Sequence, residues 1–357
     1  MKDKILSISF VGFLCLVLIV NILVSDKVIS KSERRKLEQM PEVTIESVFD
    51  KSFMEEMDSY VLDQFVLRDG FRNIKANVSY NIFGKLDNNG IFVYDGYIFK
   101  SEYPTNRKSI DNFINKINNI GSYLTENNKV YYSIIPDKNY YLDSNKYLNV
   151  DYEYIYEEIK KINYEYIELR DVLKLDDYYR TDTHWKQENL CGVVNRLGEF
   201  LDFYTLCDYD KNIYDNFYGV YYGQSALKFN PDRIVYLTNE DILNSHVYYL
   251  ENDKNNQVYI EENLEKMDSY DIYLDGSSSY IEIVNDKVLS DRELVIFRDS
   301  FSSSLAPLLI EYYSKITLID IRYINSEMYL DKINFDNQDV LFLYSTLLVN
   351  NSYTLKD

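Results

Sequence analysis

The stretch RELVIFRDSFSSSLAPLLIEYY, residues Arg292–Tyr313, joins a short apolar run to a longer one through a serine-rich connection. By composition Leu294–Phe297 is a buried strand, and Leu305–Tyr313 reads as a helix. Ser300 falls in the sharp turn between them. A serine placed there exposes its hydroxyl at the edge of a sheet, and the first amides of the helix can hold an oxyanion. Capping is the competing use of such serines. Ser302–Ser304 suit that role better, because Pro307 fits a first helical turn, where no N–H is needed. Ser300 is therefore the expected reactive serine and Ser302–Ser304 the expected cap.

The same texture runs through the chain after Gly84. GIFVYDGYIF reads as a hairpin turning at Asp95-Gly96. NRKSIDNFINKINNIGSYLTENN is helical in period and KVYYSIIP follows as a strand. YEYIYEEIKKI is a helix and YEYIEL a strand, and KITLIDI and DVLFLYS close the series. Alternating strands and helices predict an α/β fold, a mainly parallel sheet with helices on both faces. Reactive residues of such sheets sit in loops beyond the carboxyl ends of the strands. Three loops are thereby brought together: after Pro136, around Thr181–Trp185, and after Phe297.

Only two histidines occur in the 357 residues, so imidazole chemistry must use His184 or His246. His246, in LNSHVYYL, has no carboxylate close in sequence and reads as structural. His184 stands in YYRTDTHWKQENL, two positions after Asp182 and directly before the single tryptophan. In an extended segment residues i and i+2 share a side, so Asp182 can hold one nitrogen of His184 and fix its tautomer. Trp185 would point the other way and wedge the loop. The competing reading makes Asp182 a helix cap and His184 incidental. Lys138, at a strand end, is either a substrate contact or a solvated lysine. Arg298 would pair with an anionic sugar or a neighbouring carboxylate. No His-x-x-x-His or Cys-x-x-Cys spacing is present, so neither a metal nor another cofactor is expected.

Lys plus Arg total 38 against 58 Asp plus Glu, a net charge of −20. That balance disfavours nucleic acid as a partner. The 37 tyrosines could stack on sugars, although AT-rich codon usage explains their number as well. Ile5–Val24 is an uncharged apolar run. At about 1.5 Å per residue it matches a hydrocarbon core about 30 Å thick. Val28-Ile29-Ser30 makes a poor cleavage site, so the run is expected to remain as an anchor. From Ser25 to Gly84 the sequence is charged and helical in period, with Phe53, Met54, Met57, Tyr60, Val61 and Phe65 forming a stripe. The expected organisation is a head at 1–4, an anchor at 5–24, a helical segment at 25–84 and an α/β domain at 85–357. Cys191 and Cys207 either form one bridge or stay free.

TDTHW followed much later by RDSF resembles the DHHW family of surface proteins, relatives of the alginate O-acetylation proteins within the SGNH hydrolase-like superfamily. SERRKLEQMPE, YVLDQFVLRDGFR, VYDGYIF and IIPDKNYYL resemble further segments of that family in the same order. The likeness implies an SGNH-like, flavodoxin-type fold, with Asp182 as triad acid, His184 as base and Ser300 as nucleophile. Thr183 stands where the family's name places a second histidine. Gly219 and Gly223, in FYGVYYGQSALKF, are the candidates for completing an oxyanion hole, with Lys138 and Arg298 as substrate contacts. The resemblance further implies O-acetylation of a cell-surface polysaccharide, or esterase action, with a membrane-bound O-acyltransferase supplying the acyl group. The alternative is a surface-polysaccharide binding or assembly protein that keeps the fold without catalysis. Lys2 and Lys4 precede the span, whereas Lys27, Lys31, Arg34, Arg35 and Lys36 follow it, so a strict positive-inside count favours the opposite topology. The short basic head and the resemblance together place the C-terminal domain outside.

Overall fold

The computed structural model describes all residues except Met1, Lys31, Leu86, Asn89, Ser144, Asn145 and Asp357. The chain divides into two units, Met1–Asn89 with Tyr222–Phe229, and Gly90–Tyr221 with Asn230–Asp357.

The larger unit is built on eight strands: β1 (Lys129–Ile135), β2 (Glu165–Tyr166), β3 (His246–Tyr249), β4 (Asn252–Asn256), β5 (Tyr280–Val284), β6 (Glu293–Arg298), β7 (Lys315–Ile319) and β8 (Asp339–Ser345). Their order is β4-β3-β5-β7-β6-β8-β1-β2. The five strands from β7 to β2 run parallel. β5, β3 and β4 extend the sheet antiparallel to their neighbours.

Successive strand residues point to opposite faces, and both faces are covered. Leu294, Ile296, Leu341 and Leu343 pack into one core, whereas Val295, Phe297, Val340, Phe342 and Tyr344 pack into the other. Every residue of β8 is buried as a result. Helix α4 (Arg107–Ile120) covers the second face with Ile110, Phe113, Ile114 and Ile117. Helix α5 (Cys191–Leu201) covers the first with Val193, Val194, Leu197 and Leu201. The smaller unit holds α1 (Lys2–Leu23), α2 (Ser52–Gln64) and α3 (Arg68–Asn77). α1 contains a 20-residue stretch long and apolar enough to cross a membrane.

The hairpin at Ile91–Lys100 turns at Asp95 and Gly96, both in the left-handed region at φ 47° and 76°. Two expected elements come out shorter. Of YEYIEL only Glu165–Tyr166 pairs, because β2 is the sheet edge and the chain then leaves for the loop region. The helix read at Leu305–Tyr313 is one α turn, Ser302–Leu305, followed by a 3₁₀ stretch at Ala306–Tyr312. Pro307 has no N–H for an i−4 carbonyl, so an α-helix cannot continue cleanly through it.

Cys191 and Cys207 are disulfide-bonded across 16 residues, tying the start of α5 to the segment beyond its end. Closing a loop of that length stabilises a fold by about 3 kcal/mol. Replacing both cysteines by serine should lower the unfolding free energy by about that amount in urea titrations. A change below about 0.5 kcal/mol would show that the bridge restrains nothing in the unfolded chain.

Candidate active site

At the carboxyl end of β6 the chain turns sharply, and Asp299 fixes the turn. Its carboxylate accepts the Phe301 N–H at 3.1 Å and the Ser345 N–H, at the end of β8, at 2.7 Å. Ser300 is thereby presented, partly exposed, at the edge where the parallel strands end.

His184 arrives from the loop beyond β2. Tyr178 and Trp185 bridge antiparallel, and the Tyr179 N–H donates to the His184 carbonyl at 3.1 Å. Trp185 is fully buried. Its Nε1–H donates to the Phe301 carbonyl and to Ser304 Oγ, both at 3.0 Å, which locks the histidine loop onto the serine turn. His184 Nδ1 lies 2.6 Å from Asp182 Oδ1, and Nε2 lies 2.8 Å from Ser300 Oγ. With the Nδ1 proton donated to the carboxylate, the Nε2 lone pair faces the serine hydroxyl. The Val220 N–H donates to Asp182 Oδ2 at 2.8 Å and holds that carboxylate in place. Tyr270 stacks on the imidazole, 3.9 Å between centroids and 6° from parallel, and donates its hydroxyl to Ser304 Oγ.

A cleft of about 380 Å³ opens over Ser300, lined among others by Thr183, Phe301, Arg322, Tyr323 and Asn351. Arg322 grips Asp320 through Nε at 2.8 Å and Nη2 at 2.5 Å, and among the described residues its Nη1 meets no acceptor. Geometrically the arrangement allows proton transfer from Ser300 to His184 beside this cleft.

Sequence reasoning brought Asp182, His184 and Ser300 together, and the structure does the same. The other candidates lie elsewhere. Lys138 is neither solvated nor in the cleft. It is 2% exposed, and its ammonium donates to the carbonyls of Asp182 at 2.6 Å, Tyr179 at 3.2 Å and Arg180 at 3.4 Å. Arg298 is buried as well, donating to Ser303 Oγ at 2.7 Å and the Ser278 carbonyl at 3.2 Å, so it meets no sugar. The Gly219 N–H is spent on Thr181 Oγ1 at 2.9 Å. That glycine is needed for close approach, since a Cβ there would stand 2.3 Å from that of Asp182. Gly223 belongs to the smaller unit and sits against the Ser32 carbonyl. Ser302–Ser304 do not cap the helix. All three are buried, and Ser303 and Ser304 serve Arg298, Trp185 and Tyr270 instead. His246 is exposed on β3, 3.9 Å from Asp286. Asp299, Tyr270 and Arg322 were not singled out from the sequence. Asp299, adjacent to Ser300, carried the one local signal.

No family model and no curated protein matches the chain. Solved structures do. A DHHW family protein from Eubacterium siraeum superposes with TM-score 0.63 at 19% identity, covering 76% of this chain and 97% of that one. Bacillus cereus PatB1 gives 0.57 at 20% identity, covering 76% and 98%. Its form with a sulfonyl adduct gives 0.56 at 19%, covering 72% and 97%. The chain therefore has the SGNH-like α/β fold of these proteins.

Lys138 yields a pH test. Burial pushes its amine down to about 7, against the pull of Asp182, Asp232 and Asp137. The unfolded chain keeps this proton up to about pH 10. Above about pH 7 the folded state binds it less than the unfolded state, so the group's contribution to stability rises with pH. The orphaned carbonyls of a Lys138→Met variant do not titrate. The difference in unfolding free energy, wild type minus variant, should therefore grow between about pH 7 and 9.5, by at most about 1.4 kcal/mol per unit. A flat or shrinking difference in urea titrations would mean that the amine titrates normally.

Proposed function

We propose that this chain is a membrane-anchored acyltransferase or esterase of the cell exterior, acting in O-acetylation of a surface polysaccharide. The observation that carries this reading is the continuous hydrogen-bonded chain Asp182–His184–Ser300 at the carboxyl edge of the sheet. In this mechanism His184 Nε2 takes the Ser300 proton as Oγ attacks the acyl carbonyl, and Asp182 stabilises the imidazolium. The oxyanion is held by the Ser300 N–H, which among the described residues has no other acceptor, and by Arg322 Nη1 from the cleft wall. Collapse transfers the proton from His184 to the leaving oxygen and leaves Ser300 acylated. A sugar hydroxyl entering the cleft then gives its proton to His184 and takes the acyl group, and His184 passes that proton to the departing Ser300 Oγ. Water in its place gives hydrolysis. A membrane-bound O-acyltransferase is the proposed donor.

Two further observations support the reading. PatB1 has been solved with a sulfonyl adduct, and this chain shares its fold. The apolar α1 suits an anchor, and the Cys191–Cys207 bridge suits an oxidising compartment outside the cytoplasm.

Ser300→Ala should keep its unfolding midpoint while losing turnover of an acetyl ester by at least about a thousandfold. Intact-mass analysis of the wild type should show an acetyl adduct on Ser300, discharged by a glycan acceptor. Neither turnover nor adduct, with glycan binding retained in Ser300→Ala, would assign a binding role instead. For the topology, protease added to intact cells should remove the region after Ser25. A protected C-terminal region would place it inside and remove the surface polysaccharide as substrate.

A further inference from the structure

Helix α3 is turned inside out for a helix in water. Three of its polar residues face inward: Arg68 pairs with Glu33, Arg72 donates to the Gly223 carbonyl at 2.8 Å, and Asn73 to the Ala226 carbonyl at 2.8 Å. Its two large apolar residues face outward, Phe71 56% and Ile74 60% exposed, and only the small Ala76 is buried. The end of α2 and the turn before α3 behave alike, with Val61 51%, Leu62 70% and Leu67 76% exposed. A surface helix in water shows the opposite arrangement, so this face calls for an apolar cover.

The contacts of this segment with α1 indicate what covers it. The Val66 N–H donates to Asn21 Oδ1, inside α1, at 2.9 Å. The Lys27 N–H donates to Gln64 Oε1 at 2.9 Å, and Gln64 Nε2 returns a bond to the Lys27 carbonyl at 3.0 Å. Val24, Phe65, Val66 and Leu67 line one cavity. Asn21 lies three residues before the apolar run ends at Val24. At about 1.5 Å per residue, the Val66 amide sits about 4.5 Å below the end of that run. If α1 crosses a bilayer, Leu67 and its neighbours stand at the depth of the outermost acyl carbons.

We infer that residues 61–74 form a membrane-contact face, seated in the headgroup–acyl boundary of the bilayer that α1 crosses. Val61, Leu62, Leu67, Phe71 and Ile74 enter the lipid, as the apolar side of an interfacial helix does. The inward arginines do not oppose this, because Arg68 and Arg72 are paired with Glu33. The exposed Asp69 and Lys75 reach the headgroups. The inference rests on α1 as a membrane span and is independent of the chemistry at Ser300.

The test uses the full-length chain in phosphatidylcholine–phosphatidylglycerol vesicles, with an environment-sensitive fluorophore on a single cysteine. Cys191 and Cys207 are bonded to each other and do not react. With Cys15→Ser in place, a label at Leu67→Cys should emit blue-shifted. Lipids spin-labelled near the headgroup should quench it at least twofold more than lipids labelled deep in the chain. A label at the fully exposed Leu289→Cys should emit as in water and remain unquenched. Water-like, unquenched emission at Leu67 would overturn the proposal. Blue-shifted emission that no lipid quenches would also overturn it, since a protein surface would then be the cover. A label on native Cys15 reports the span separately. If deep spin labels fail to quench it, the span reading falls and the face falls with it.

Discussion

The contact between His184 Nε2 and Ser300 Oγ, 2.8 Å long, joins positions 116 residues apart. A hydrogen bond through which a proton is to pass tolerates errors of a few tenths of an ångström. Both backbones must therefore be fixed before either side chain is useful. On the serine side, the Asp299 carboxylate spans the ends of β6 and β8 and sets the turn. On the histidine side, Trp185 closes the gap, because its indole N–H reaches the serine turn itself. Tyr270 then holds the imidazole plane from above. Two loops distant in sequence are in effect bolted together, and the parallel sheet supplies the fixed base.

Buried charge governs the remainder of the site. Lys138 lies against the Asp182 loop and donates to three of its carbonyls; that of Arg180 also accepts the Ile98 N–H at 2.8 Å, whereas for those of Tyr179 and Asp182 the ammonium supplies a donor in a dry interior. Its charge also offsets part of the field of Asp137, Asp182 and Asp232. Asp232 meanwhile accepts from the N–H and hydroxyl of Thr181, which sets the residue before Asp182. A strongly acidic chain thus gathers several carboxylates at one sheet edge and stabilises them with oriented donors. In the mechanism proposed here, that arrangement keeps Asp182 aimed at His184.

How much of this was legible in the sequence follows from the range of each interaction. The α/β layering was legible because β6 and β8 are apolar on both faces, and covered parallel strands demand that. The approach of Asp182 to His184 was legible because it depends only on i, i+2 geometry. Ser300 stood out because a strand, a turn and a helix start are local features. Lys138 was misjudged because a loop lysine is ordinarily solvated, and its burial is set by carbonyls about forty residues away. Ser302–Ser304 were misjudged because capping propensity is local, whereas Trp185, Tyr270 and Arg298 claim two of those hydroxyls through tertiary contacts. Tyr270 could not be found at all, since nothing near it in sequence hints that it stacks on an imidazole.

The central claim is that His184 activates Ser300, and a sulfonyl fluoride reads this most directly because it needs neither acceptor nor acyl donor. The site and rate of modification should be followed by peptide mass spectrometry in the wild type, His184→Ala and Asp182→Asn. The account predicts one adduct, on Ser300, forming at least about a hundredfold more slowly in His184→Ala, with Asp182→Asn also slowed. An adduct on another serine, or equal rates in the wild type and His184→Ala, would contradict it.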